Sequence, residues 1–527
     1  MKIHGGAAKM TFQEHARRIG CLLMAVSALL VWRASSAEVL SADGLRYTAQ
    51  AKRITAGDWS GGLVGSVDHP MYPLQIAAMR SLAGLPETPR GWQNAAWAAS
   101  LVHGVLLVIP LYLVARRLFG DQQAWLGVVS FYAVPLTSQI LADALSESTF
   151  LHFWCWSLWF ALEFLVRGRP GWLACVAVAG ALAYWTRPEG MLICLTLGLT
   201  ILITPILPRT RIDWPKFGRV LAMLAVATAI FSVPLVLSRG SIGTKPAIAK
   251  VLGLKSRAGA HAVERERPLD PNQTELETWA MATKAYFKAT KQAVTTPGLI
   301  LAAVGLVFWR WPNAASARQG LLMVLIMLAS AAALIRLHAT QGYCAPRHTM
   351  VPSQFLLMAV GSGLYCLGEA IMRQLSRLRH LPAGSTLEPG PAVWVAFAMI
   401  WGLLHTPDFI KPIGNDALGY RQAAEFIGPK LQPGEPLADL TGWAPFYADH
   451  PGYTFASINN AFSDQNLRYV VVREAHLIGP WDYCQTMKKL TSGATRVAEF
   501  PPLTAGSKKR VSRVIVFEKP TKIAANR

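Results

Sequence analysis

Apolar runs of bilayer-spanning length recur about eleven times along this 527-residue chain, and they constrain its fold more than any other feature. A run of about 20 apolar residues can cross hydrocarbon as a helix, because a helix satisfies its own backbone donors and acceptors. The runs lie near 19–40, 92–115, 123–142, 148–166, 171–185, 190–207, 217–237, 298–311, 319–337, 350–371 and 391–404. The expected class is therefore an all-α polytopic membrane protein. Only 15% of the residues are charged, fewer than a soluble domain carries. The first run, "GCLLMAVSALLVW", also fits a signal-peptide core with a cut after Ala37, but Arg33 between core and cut argues against cleavage.

The net charge of +21 is explained by topology and anionic lipid rather than by nucleic acid, because much of the excess sits in short loops. With the N-terminus inside, the inner loops hold 17 Lys and Arg against 4 acids, and the three short outer loops hold 3 of each. The same arrangement puts three larger pieces outside: 41–90, 238–297 with an N-x-T at Asn272, and the tail. The expected organisation is a membrane domain over 1–404 and a small soluble α/β domain over 405–527. In the tail a helix-like "GYRQAAEFIGPKL" alternates with the β-branched runs "RYVVV" and "RVIVF". Five of the seven Cys lie in apolar runs, and no Cys/His spacing suits a metal.

The acids gather on the expected outer side. Asp43, Asp58 and Asp68 lie in the first outer loop, Asp143 and Glu147 in "LADALSEST", and Glu189 in "YWTRPEG". Carboxylates at a membrane boundary are costly unless paired, hydrated or metal-bound, and they mark function. Asp143 and Glu147 are spaced i, i+4, so on a continuing helix they share a face, where a divalent cation or an Arg would relieve their repulsion. The first loop reads as two interfacial helices. One runs from about Asp43 to Gly57, and the other follows Pro70, with Asp68 and His69 before its anion-attracting N-terminus. Arg187 and Arg347–His348 bring cations to the same side. Acids with Arg suit a phosphate leaving group, a metal and a hydroxyl nucleophile.

Plainer readings compete. Asp43 and Asp68 are also candidate N-caps, Asp58 a turn residue, and Arg187 a lipid-facing cation paired with Glu189. His103 and His152 read as packed histidines, and Trp154, Trp156 and Trp159 as a lipid-facing or packing stripe.

Taken together, "ADGLRYTAQAKRITAGDW", "DHPMYPL", "DALSEST", "TRPEG", "PRHTMVPSQF" and the tail "RQAAEFIGPKLQPGEPLADLTGWAPFYADHPGY" resemble the GT-C superfamily of membrane glycosyltransferases. The nearest branch is the protein mannosyltransferase and aminoarabinose transferase group. The resemblance implies sugar transfer from a polyprenyl-phosphate donor to a lipid, glycan or protein hydroxyl on the outer membrane face. It implies Asp43 and Asp143 as the catalytic acids, with Asp43 as base in an inverting displacement. Arg46, Tyr47, His69, Arg187, Arg347 and His348 become substrate-binding candidates, and Asp68 and Glu147 candidate ligands of a divalent metal. No organic cofactor and no nucleic acid is expected, and the lipid bilayer is the surrounding partner. Two departures stand out: Gly44 follows the first acid where relatives often carry a second, and an R-Y motif reads Arg347–His348. The expected location is a bacterial inner membrane, with the active site and tail facing the periplasm. The rival class is a transporter or flippase for a lipid-linked or anionic solute; against it, no half-to-half symmetry or paired broken helices are legible.

Overall fold

The computed structural model describes residues 10–204, 214–239, 274–308, 314–378, 391–479, 481–500 and 513–520. The Asn272 sequon, most of 238–273 and parts of several basic inner loops lie outside the described residues.

Helix α1 (Phe12–Ser35) starts in a capping box between Thr11 and Glu14. The first outer loop forms α2 (Ala42–Thr55) and α3 (Met71–Leu82). Helices α4 (Pro89–Leu106) and α5 (Val108–Phe119) together form one 31-residue apolar stretch. Then come α6 (Asp121–Tyr132) and α7 (Pro135–Ala142), bent by 72°. Pro135 causes that break: it opens α7 and leaves Val134 extended, as a residue before proline prefers. Helix α8 (Glu147–Arg167) stops at left-handed Gly168. The bundle continues through α9 (Gly171–Thr186), α10 (Leu192–Ile203) and α11 (Trp214–Arg239). It closes with α12 (Glu275–Val294), α13 (Thr296–Val307), α14 (Ala314–Gln341), α15 (Met350–Leu378) and α16 (Pro391–Leu403).

Among the described residues six helices are long and apolar enough to cross a membrane, or up to eight if α6–α7 and α12–α13 each count as one bent span. Three shorter apolar helices, 171–186, 188–203 and 393–403, add to the bundle. Helix α12 departs from the polar outer segment expected over 238–297. Its Ala282, Tyr286, Ala289 and Ala293 are buried, at the i, i+4, i+7, i+11 spacing of one helix face.

The tail folds around a five-stranded sheet of order β2-β1-β3-β5-β4, formed by β1 (Leu437–Ala438), β2 (Gly452–Tyr453), β3 (Tyr469–Arg473), β4 (Thr495–Phe500) and β5 (Val514–Glu518). Strands β2, β1 and β3 are parallel, and β5 and β4 run antiparallel with a register shift at Arg496/Ala498. Side chains alternate along each strand, so the sheet serves two cores. Tyr469, Val471, Val514 and Val516 join the core that continues into the helical bundle. Val470, Val472 and Ile515 join a smaller core with Met487 and Leu490 of the helix Asp482–Thr491, on the other side of the sheet.

Candidate active site

Five segments of the chain supply the site. The first is the start of α2. Ser41, not Asp43, is its N-cap, accepting the Gly44 amide, so Asp43 lies in the first turn of the helix. Gly44 packs on the turn between α7 and α8, where a Cβ would stand 2.9 Å from the Ala144 carbonyl oxygen. That contact accounts for the absence of a second acid after Asp43.

Asp43 holds two guanidinium groups. Its Oδ1 lies 2.8 Å from Arg46 Nη1 and its Oδ2 2.8 Å from Arg347 Nη1. Arg46 also reaches Asp68, Nε to Oδ2 at 3.0 Å and Nη2 to Oδ1 at 3.3 Å. A chain of charge, Arg347–Asp43–Arg46–Asp68, thus ties the turn before α15 to the first outer loop. Burial opposes the charge on Arg46, but Asp68 and Asp43 more than offset this and raise its pKa. The backbone of Asp68 is held as well: its carbonyl accepts from Arg239 Nη2 at 2.8 Å.

A second set adjoins the first. Arg187 lies 2.8 Å from Glu147 and 3.0 Å from Glu189. Tyr47 joins the sets: its hydroxyl is 3.1 Å from Ser146 Oγ, and it lies in the fields of Asp68, Asp43, Glu147 and Arg187. Arg347 is likewise in the fields of Asp43, Glu147 and Arg187. Asp143 stands at the edge of this cluster, and burial pushes its carboxyl up to about 7.

Beside the charges runs an open apolar groove of about 650 Å³ between α10 and α11, lined by Leu195, Leu199, Leu224 and Val236 among others. Tyr184 lines the groove and packs edge-on against His69, the neighbour of Asp68.

The family model described as dolichyl-phosphate-mannose-protein mannosyltransferase matches residues 68–237. No curated protein matches the chain in sequence. Among solved structures, ArnT from Cupriavidus metallidurans bound to undecaprenyl phosphate superposes with a TM-score of 0.60 at 17% identity, covering 96% of this chain and 99% of that one. AglB, the oligosaccharyltransferase of Archaeoglobus fulgidus, in complex with an inhibitory peptide and a dolichol-phosphate, gives 0.55 at 11% identity, covering 96% of this chain and 76% of that one. The same organism's oligosaccharyltransferase in complex with Zn and sulfate gives 0.54 at 12% identity, covering 86% and 68%. The chain has the fold of these ArnT and AglB structures. Its resemblance to the mannosyltransferase and ArnT group stands on both kinds of match.

On this scaffold Asp43, Arg46, Tyr47, Asp68, Glu147, Arg187 and Arg347 come together. Asp143 and Glu147 do not share a helix face, contrary to their spacing. Helix α7 ends at Ala142, Asp143 is extended, and α8 begins at Glu147. Each acid then meets a different environment: Glu147 takes Arg187, while Asp143 Oδ1 accepts the Ala144 amide at 2.7 Å. Asp68 and Glu147, the candidate metal ligands, are each engaged by a guanidinium group. Among the described residues no three His, Cys, Asp or Glu side chains are grouped to hold a metal ion. This donor set suits an anion gripped by arginines better than a cation gripped by acids.

His69 does not crown a free helix N-terminus. Pro70 occupies the N-cap of α3, and the His69 ring is buried on Tyr184. His348 Nδ1 accepts the Ala345 amide at 3.2 Å, which shapes the turn carrying Arg347. Asp58 is a turn residue, its Oδ1 accepting the Gly61 amide at 2.8 Å. His103 and His152 pack edge-on at 5.1 Å, and Trp154 is buried rather than lipid-facing. The sequence reading missed Arg239 as a site residue. Its signal was present, a lone Arg closing an apolar helix, but a lipid-facing cation gives the same signal.

Proposed function

We propose that the chain is a membrane glycosyltransferase that moves a sugar from a polyprenyl-phosphate donor to a hydroxyl acceptor, with inversion, on the periplasmic face of a bacterial inner membrane. The carrying observation is the Arg347–Asp43–Arg46–Asp68 chain, which joins a candidate base to a candidate phosphate clamp in one place. The matched ArnT and AglB structures, bound to undecaprenyl phosphate and dolichol-phosphate, support the donor class.

The donor's isoprenoid tail would lie in the α10–α11 groove, whose lining is almost wholly apolar. Its phosphate would lie against Arg347 and Arg187. Arg347 lies against the Asp43 carboxylate. A phosphate competes for that guanidinium with bidentate, charge-assisted hydrogen bonds. Donor binding would therefore draw Arg347 off the carboxylate and leave Asp43 to take the acceptor proton. The acceptor oxygen attacks the anomeric carbon as the carbon–phosphate-oxygen bond breaks. The polyprenyl phosphate leaves as an anion stabilised by the arginines. Arg46 keeps Asp43 oriented through its second bond to Asp68. The section from about 405 onward would cover the site from the water side.

The test is transfer by purified protein from an undecaprenyl-phosphate sugar, read by mass spectrometry of the acceptor. Asp43→Asn should lower turnover about 10²–10⁴-fold, the range for loss of a positioned base. Turnover near wild type would remove Asp43 as base. Net lipid flip with no transfer would favour the transporter class.

A further inference from the structure

A small pocket of about 210 Å³, lined mainly by polar side chains, lies where α4 meets the tail. Arg90 and Gln93 of α4 form one wall; Arg421 and Glu425 of α17 (Leu418–Ile427) and Tyr447 of α18 (Trp443–Ala448) form the other. Gln93 is fully buried. Its Nε2 donates to the Glu38 carbonyl at 3.3 Å, while its Oε1 has no hydrogen-bond partner among the described residues. A buried amide oxygen left without a donor is costly, and the Gln93 residue lies in the wall of this opening with that oxygen itself closed off from solvent. Arg421 is braced by Glu425 at 2.9 Å and by the Glu38 carboxylate at 3.1 Å, so its guanidinium plane is set in place. Arg90 has no carboxylate partner among the described residues and packs over Trp97.

The pocket is wired to the reacting end. The Tyr447 hydroxyl accepts the Leu40 amide at 2.8 Å, and Trp443 Nε1 donates to the Leu40 carbonyl at 2.7 Å. Leu40 immediately precedes Ser41, the cap of the helix that carries Asp43. Tyr447 also lies in the field of Asp143.

We propose that this pocket seats a sugar ring of the acceptor, so that the acceptor is a saccharide-bearing molecule. The assignment rests on the glycosyltransferase reading above. Planar groups that donate and accept in pairs match vicinal hydroxyls: the guanidinium groups of Arg90 and Arg421 donate and the Glu425 carboxylate accepts. A tyrosine adds an apolar wall, and the volume holds one ring rather than an extended chain. The lining carries two cations and one anion, which does not repel a neutral sugar.

The test uses the full-length protein in nanodiscs. Methyl β-D-glucopyranoside and methyl N-acetyl-β-D-glucosaminide are the probes, read by saturation-transfer NMR, with undecaprenyl phosphate binding followed in parallel by thermal shift. Arg90 and Glu425 are exposed, so Arg90→Ala and Glu425→Ala should fold normally. Each should weaken glycoside binding about tenfold, the effect of losing one charge-assisted hydrogen bond, while undecaprenyl phosphate binding stays at the wild-type level. The sugar pocket is overturned if neither glycoside binds wild type, if binding is undiminished in both variants, or if inorganic phosphate alone occupies the site. Failure of undecaprenyl phosphate to bind wild type would strike the donor reading instead, leaving the pocket to be judged on the glycoside signal.

Discussion

Helix α8 carries a buried glutamate near each end, and each is held by arginine. Glu163 meets Arg117 of α5 and Arg167, its own i+4 neighbour. Glu147 meets Arg187, which is shared with Glu189. The pairs look alike as pairs. They differ in what surrounds them. The partners of Glu163 are partly exposed, with Arg117 and Arg167 side chains 30% and 52% accessible, and Arg167 spreads over Trp172. This is a pin between helix ends. Around Glu147 the cations and acids come from four segments, and they adjoin an apolar groove. A buried ion pair is thus weak evidence of a site, whereas non-local charges gathered beside open space are strong evidence.

That contrast can be broken by mutation. The largest expected effect is the 10²–10⁴-fold loss in Asp43→Asn turnover already described. Arg347→Ala should follow, with kcat/KM for donor down about 10²–10³-fold, as for removal of a preorganised donor to developing charge. Arg347→Lys should recover part of this, because a point charge replaces the fork but not its geometry. Steady-state kinetics with an undecaprenyl-phosphate sugar would read both.

Glu163→Gln should behave oppositely. It should cost about 1–3 kcal/mol of stability, seen in thermal unfolding, with turnover of the folded protein unchanged. A loss of turnover without loss of stability would erase the distinction between the two ends of α8.

The smallest effect concerns pH. Burial raises the Asp143 carboxyl from the ordinary 3.8 to about 7. The folded state therefore holds this proton more tightly than the unfolded chain, and stability falls as pH rises between about 4 and about 7. Asp143→Asn should flatten that part of the melting-temperature profile. An unchanged slope would assign the pH dependence to another group, such as Asp439, which burial raises to about 6.

Much of the fold was legible from local pattern. The apolar stretches became helices close to their expected bounds, because a helix satisfies its own hydrogen bonds and its spacing shows in neighbouring residues. Two of the tail's five strands, β3 and β5, show in the β-branched runs at 468–472 and 513–517, while the short β1 and β2 and the edge strand β4 carry no such run. Local pattern failed where one residue altered the path. Asp143 and Glu147 seemed helix neighbours, but the chain turned between them. The buried face of α12 was hidden because its composition is polar.

The sequence by itself determined the helices, their apolar faces, and which carboxylates and arginines were available near helix ends. Only the tertiary structure decided which acid met which base. Arg46 bridges Asp43 to Asp68, Arg347 reaches Asp43 from the turn before α15, and the tail braces Leu40 through Trp443 and Tyr447. The reason is range. Helical hydrogen bonds join residues four apart and leave a periodic trace, whereas an ion pair between distant segments leaves none until packing brings its partners together.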